Sequence, residues 1–375
     1  MRFPKRFSSV LLSLLLVRAA LGALPEDGIA HYRTGARWLF DLVNVEAPAG
    51  KDDRAAHRAE LAASMRDFRT RWMEPAAPFL AQLVPADVPD QVVYPFGGGD
   101  LITALLTFPR AREITTLSLE PAGEPVTLNL GPGLMDRELA IMRRDLDLLF
   151  RKAHSRTDNL GTLAHLTLPG QLMFSLAALE LTGREPVDLK YFRIAPDGTL
   201  VYVTIAEVAA TRPGTSERAQ LFRNMELSFV PKGSPPGTPP VIQRHIAFNL
   251  DDEHLAHDPG LLKHLAAKGR VAAMTKAASF LLWSDGFSSI RRYLLEHVAW
   301  MISDATGIPP QVARAAGFEQ VAYGRFDGPL LGASSRITAD VRALFAGARE
   351  TPVRYGYPDS SGHAHIIVTR PRQRG

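Results

Sequence analysis

The chain contains no cysteine among its 375 residues, and that absence removes several chemistries together. Disulfide bridges, thiolate zinc sites, a cysteine nucleophile and lipid attachment through a cysteine are all excluded. It fits an oxidising compartment, where a stray thiol is a hazard. Long apolar runs are nearly as scarce. The one at residues 10–17 falls well short of the roughly 20 residues that a membrane-spanning helix needs. No internal repeat is visible, so a solenoid or propeller is not indicated.

What is present begins with targeting. Arg2, Lys5 and Arg6 precede the apolar run, Arg18 closes it, and Ala20-Leu21-Gly22 offers small residues for cleavage. This is the pattern of a secretory signal peptide over residues 1–22, which predicts a periplasmic or extracellular protein without a membrane span after cleavage. Cleavage would leave 39 of the 43 basic residues against 39 acidic ones. The expected mature protein is thus formally neutral, and its charge gives no reason to propose nucleic acid or an anionic membrane as a partner. Protein partners are left unspecified.

The remaining length can bury a large core, and its rhythm predicts an α/β fold: a Rossmann-like core with an added antiparallel β-hairpin layer and N-terminal helices. The N-terminal helical segment is expected over residues 23–90, and the α/β domain over 91–375 with a hairpin insertion at about 187–250. Leu61, Met65, Phe68 and Trp72 recur at helical spacing, predicting a helix over 55–73 that Pro75 and Pro78 should end. Pro196-Asp197-Gly198 is hairpin-turn chemistry. The proline-rich residues 231–240 suit either an interdomain linker or, since both flanks are strand-like, a long surface loop. Ile290, Leu294, Val298 and Met301 predict one helix from 287 to 303.

The stretch organising the rest runs from Gln91 to Glu120: a strand, the turn Gly97-Gly98-Gly99, a short helix that Asp100 caps, a second strand, and the acid Glu120. It resembles the first loop of the class I S-adenosylmethionine methyltransferases. Gly97 and Gly99 fall on the first two glycines of their Gly-x-Gly-x-Gly run, and Glu120 falls where those enzymes hold ribose hydroxyls. Pro95 stands in place of their usual acid, and Leu101 in place of their third glycine. An Asp100 cap would place negative charge where an anion would lie, so the turn predicts a small non-phosphate ligand, with no cofactor assigned. Such a cofactor would not be expected outside the cytoplasm, so export argues against methyl transfer. A methyltransferase-like enzyme therefore remains the alternative.

Two further groups complete the candidates. Lys276 and Ser279, three apart, could pair a base with a hydroxyl nucleophile, and Asp304 precedes a Gly307-containing turn; these join Gly97, Gly98, Gly99, Asp100 and Glu120 as candidate ligand-binding residues. Glu253, His254 and His257 are weak candidates for a divalent ion in a metal-dependent hydrolase, with a solvated helix start as the plainer reading. His363 and His365 are expected on one face of an exposed edge strand. Tyr94-Pro95-Phe96-x-Gly98-x-Asp100, Leu119-Glu120-Pro121-x-Gly123, Lys276-Ala277-x-Ser279, Asp304-x-x-Gly307-Ile308-Pro309 and Tyr323-Gly324 together resemble an uncharacterised family of exported bacterial proteins. That resemblance implies secretion and a shared fold, and no reaction.

Overall fold

The computed structural model describes residues 28–46, 54–125, 132–152, 167–329 and 339–372; the expected signal peptide at 1–22 lies outside them. The strands in chain order are β1 (Gln91–Pro95), β2 (Glu113–Ser118), β3 (Arg184–Ile194), β4 (Leu200–Tyr202), β5 (Asn224–Pro231), β6 (Val241–Ala247), β7 (Val271–Thr275), β8 (Val298–Ser303), β9 (Phe318–Gly324) and β10 (His365–Pro371). The helices are α1 (Arg33–Val43), α2 (Ala55–Phe68), α3 (Glu74–Leu83), α4 (Leu101–Thr107), α5 (Pro132–Lys152), α6 (Gly170–Leu181), α7 (Ile205–Ala210), α8 (Ser216–Leu221), α9 (Asp252–His257), α10 (Gly260–Ala266), α11 (Ser288–His297), α12 (Pro310–Ala315) and α13 (Ala339–Phe345). Among the described residues no helix is long and apolar enough to cross a membrane.

All ten strands form one sheet, ordered β4-β3-β5-β6-β2-β1-β7-β8-β10-β9. The middle five, β6-β2-β1-β7-β8, are parallel, which makes the Rossmann-like core. Chain order runs outward from β1 through β2 to β6 on one side, and from β7 to β8 on the other, so the sheet reverses direction between β1 and β7. Parallel strands require covering on both faces, and side chains alternate to supply it. Val92 and Tyr94 of β1, with Ala272 and Met274 of β7, pack under α1, α2, α3, α5 and α6. Val93, Ala273 and Met301 face the opposite core with Leu261, Leu265, Ile290 and Leu294. The antiparallel β3–β5 unit extends the sheet in its own plane through β5–β6 pairing.

A charge ladder ties that extension to the parallel core. Lys268 and Arg244 both grip Glu113; Arg244 also reaches Glu226 at 2.9 Å, and Lys190 lies 2.8 Å from Glu226 on its other side. Burial pushes Glu226 upward, but Lys190, Tyr202 and Arg244 outweigh it and hold the carboxyl below its ordinary range.

The structure decides one expectation and changes others. Residues 231–240 are the loop of the β5–β6 hairpin, with local turns closed by Ser234 N–H to the Pro231 carbonyl and Thr238 N–H to the Pro235 carbonyl. Pro75 and Pro78 do not stop the helical path: α2 widens into a π turn over Arg69–Met73, and α3 starts with Pro75 in its first turn, where a missing N–H costs little. The expected helix over 287–303 divides into α11 and β8. Val298 and Met301 continue the helical spacing of Ile290 and Leu294, yet the Val-Ala-Trp-Met-Ile-Ser run is taken by the sheet, where β7 and β10 bond it on both sides. Thr204, just past β4, caps α7 through a reciprocal box with Glu207.

Candidate functional site

Ligands of open α/β sheets bind outside the carboxyl ends of the parallel strands, at the point where strand order reverses. Asp100, Lys276 and Asp304 all lie just past such ends. Lys276 directly follows β7, Asp304 directly follows β8, and Asp100 ends the glycine turn after β1. Glu120 lies two residues past β2.

The glycine turn is built mainly to suit neighbouring side chains. A Cβ on Gly97 would come 2.9 Å from the Tyr94 ring, and one on Gly99 would come 2.6 Å from Phe174. Gly98 adopts φ +48° and its carbonyl accepts from Gln171 Nε2 at 3.0 Å. Phe96 sits before them at φ +61°, a conformation that costs a bulky L-residue about 1–3 kcal/mol. Ala277, after Lys276, has φ +57°. Both strands flanking the reversal therefore exit through a left-handed non-glycine residue.

Between these exits lies a buried ion pair. Lys276 Nζ is 2.5 Å from Asp100 Oδ2, with the two side chains 1% and 3% exposed. Tyr94 donates its hydroxyl to the same oxygen at 3.0 Å, Thr103 N–H and Oγ1–H both bond Oδ1, and Lys276 also donates to Thr103 Oγ1 at 2.9 Å. The ammonium lies 5.0 Å from the centre of the Tyr355 ring and 6.0 Å from that of Trp72, aromatic faces that favour a desolvated cation. Burial drives Tyr94 well above its ordinary value, and the Asp100 charge adds to it, so the phenol stays a donor.

Asp304 pins the other exit. Its Oδ2 accepts from Ala277 N–H at 2.9 Å and Tyr357 N–H at 3.2 Å, and its Oδ1 from Thr306 N–H at 2.9 Å and from the Thr306 hydroxyl. Ser279 bonds the Thr306 hydroxyl through its side chain, and its backbone N–H donates to the Lys276 carbonyl at 3.3 Å. A side chain at Gly356 would collide with the Asp304 carboxylate. The Ser279–Thr306–Asp304 chain is fully buried, which suits a brace better than a nucleophile.

Glu120 is different. Its Oε1 is buried without a hydrogen-bond partner, as is the Ser118 hydroxyl. The Glu120 carbonyl accepts from His245 Nε2 at 2.8 Å, while His245 Nδ1 lies 3.2 Å from the Thr116 hydroxyl, to which Gln243 donates. The carbonyl can only accept, so Nε2 carries the proton and Nδ1 accepts. Complete burial lowers His245 to about 4 from its ordinary 6.5, leaving it neutral. Gln171 Oε1 is a third unpartnered buried acceptor beside the turn.

The weak metal candidates do not converge. His254 bonds through its backbone N–H and Nδ1 to Asp251, the cap of exposed α9, and Glu253 and His257 join no ligand cluster among the described residues. The expectation for the C-terminal histidines also needs correction. His365 is fully buried and accepts from Ala305 N–H at 3.1 Å, whereas His363 precedes β10; β10 lies between β8 and β9 and is not an edge strand. Tyr94, Thr103, Ser118, Gln171 and His245 are site residues the sequence reading did not select. Thr103, three positions after a capping aspartate, carried a legible signal; Gln171 and His245 arrive only through tertiary packing.

Comparisons with protein-family models, with curated proteins and with solved structures return no match to this chain.

Two expectations follow. Lys276→Met strands the Asp100 carboxylate and should cost about 3–5 kcal/mol in urea unfolding, with the Asp100→Asn/Lys276→Met double variant losing less than either single change in sum. Between pH 6.5 and about 4 the unfolded chain binds a proton on His245 that the folded chain refuses, so stability should fall as pH drops through that window. The contribution is on the order of 3 kcal/mol, and His245→Gln should flatten this part of the stability profile.

Proposed function

We propose that the protein is an exported small-ligand-binding protein whose site lies at the carboxyl ends of β1 and β2, beside the glycine turn. The observation carrying this reading is the set of buried acceptors without donors: Glu120 Oε1, Ser118 Oγ and Gln171 Oε1. A buried unpaired polar group costs about 1–3 kcal/mol, and a ligand bearing hydroxyl or ammonium donors supplies partners of the kind these atoms lack. Phosphate is disfavoured, because Asp100 already occupies the α4 N-terminus and adds negative charge there. Export rests on the pattern at residues 1–22 and on the resemblance to a family of exported bacterial proteins.

A second reading keeps the methyltransferase resemblance of the turn. Numbering only β1, β2, β6, β7, β8, β9 and β10, the sheet runs third, second, first, fourth, fifth, seventh, sixth, with the seventh alone reversed; its first five places follow the doubly wound order of nucleotide-binding sheets. Against it stand Pro95, Leu101 and the internal Asp100–Lys276 pair at the reversal point. Fold likeness alone does not assign chemistry, so ligand binding without methyl transfer is the first reading.

Thermal-shift and calorimetric screening with neutral polyols, nucleosides, primary amines, S-adenosylmethionine and inorganic phosphate separates these. A neutral or amine ligand should stabilise the wild type, and Glu120→Ala should weaken it by roughly tenfold or more; stabilisation by phosphate alone, or a response that Glu120→Ala leaves intact, overturns the reading. S-adenosylmethionine binding sensitive to Glu120→Ala promotes the second. Export is tested by fractionation and N-terminal sequencing, which should find a protein beginning near residue 23 outside the cytoplasm.

A further inference from the structure

Far from the glycine turn, two loops bring three metal-ligating atoms together. Asp327 follows β9, while Asp359 and His363 lie in the loop leading into β10. Their ligand atoms all fall within 4.8 Å of one another, and they form the only such group among the described residues. His363 Nδ1 is 3.0 Å from Asp359 Oδ2 and 3.4 Å from Asp327 Oδ2. Ligands placed tetrahedrally at about 2.0–2.2 Å from a zinc-like ion stand roughly 3.3–3.6 Å apart, close to this spacing.

The surroundings supply what a first coordination sphere needs. Asp359 is fully buried, and backbone N–H groups of Asp327, Ser361 and His363 hold its carboxylate at 2.8–3.0 Å, the kind of support that orients metal ligands. Arg325 Nε, 2.8 Å from Asp327 Oδ2, is the neighbouring cation that would have to turn aside. Asp327 lines a cavity of about 480 Å³ with Phe326 and Phe345, and His363 lines another of about 500 Å³, so a fourth position has access to solvent. A buried polar atom without a partner lies behind the same aromatic rings. His365 is fully buried and its Nε2 has no partner. With Nδ1 accepting from Ala305 N–H, Nε2 is a donor without an acceptor. It packs edge-on against Phe326 and Phe345, two of the residues that line the first cavity.

We propose that Asp327, Asp359 and His363 bind one divalent transition-metal ion through a mixed oxygen and nitrogen donor set, with an open position toward these cavities. Binding takes the neutral His363 tautomer with its proton on Nε2, so that the Nδ1 lone pair meets the ion in place of its present contacts with the two carboxylates. The imidazole with two carboxylates favours zinc or a similar borderline ion over calcium or magnesium.

The test uses the purified full chain, stripped with a chelator and titrated with Co²⁺ and Zn²⁺. One equivalent of Co²⁺ should give low-coordinate d–d absorption, which Zn²⁺ displaces. His363→Ala and Asp327→Asn should each weaken binding about tenfold or more, whereas His254→Ala/His257→Ala should not. Asp359→Asn disturbs a buried brace, so the two more exposed variants carry the decision. Absence of stoichiometric binding, or binding that survives both of those variants, overturns the proposal; the ligand response at Glu120 should be unaffected either way.

Discussion

An ammonium held at 1% exposure is among the most expensive groups a fold can bury, and the reversal point of this sheet is arranged around making that tolerable. Asp100 neutralises Lys276 at 2.5 Å, Tyr94 and Thr103 complete the hydrogen bonding of the carboxylate, and Trp72 and Tyr355 turn their rings toward the cation. These partners come from β1, α4, the π turn and the segment before β10. One pair therefore couples the N-terminal helices, the first parallel strand and the last third of the chain.

Backbone strain lies on either side of that pair. Phe96 and Ala277 hold left-handed conformations on the two strand exits that flank the pair, and the Ala277 N–H is held by Asp304. Gly97 and Gly99 are needed so that Tyr94 and Phe174 can pack. The charge that would welcome or repel a ligand is thus already balanced inside the protein. Unmet hydrogen-bonding demand lies to one side instead, at Ser118, Glu120 and Gln171, which moves the candidate site toward β2.

His245 joins the two regions in a different way. As a neutral ring bonded to Thr116 and to the Glu120 carbonyl, it fixes the backbone from which Glu120 extends. The charge ladder from Lys268 to Lys190 does comparable work on the opposite face of the sheet, so the antiparallel extension moves with the parallel core.

The local rules written into the sequence reach a definite distance. Alternating and continuous apolar runs, Pro196-Asp197-Gly198, the Asp100 cap and the glycine turn determine by themselves the α/β class, the hairpin and the first strand–turn–helix, because turn chemistry and side-chain period act over a few residues. Period alone misassigned residues 298–303, since a buried strand and the end of a helix share the same apolar spacing, and hydrogen-bonding partners in β7 and β10 decided between them. Sequence could name Asp100, Glu120, Lys276 and Asp304, but their fates depended on neighbours far along the chain: Lys276 meets Asp100 across 176 positions, Asp304 becomes a brace, and Glu120 keeps an unpaired oxygen. Tertiary structure decided these roles because the cost of burying a charge is set by whatever stands opposite it.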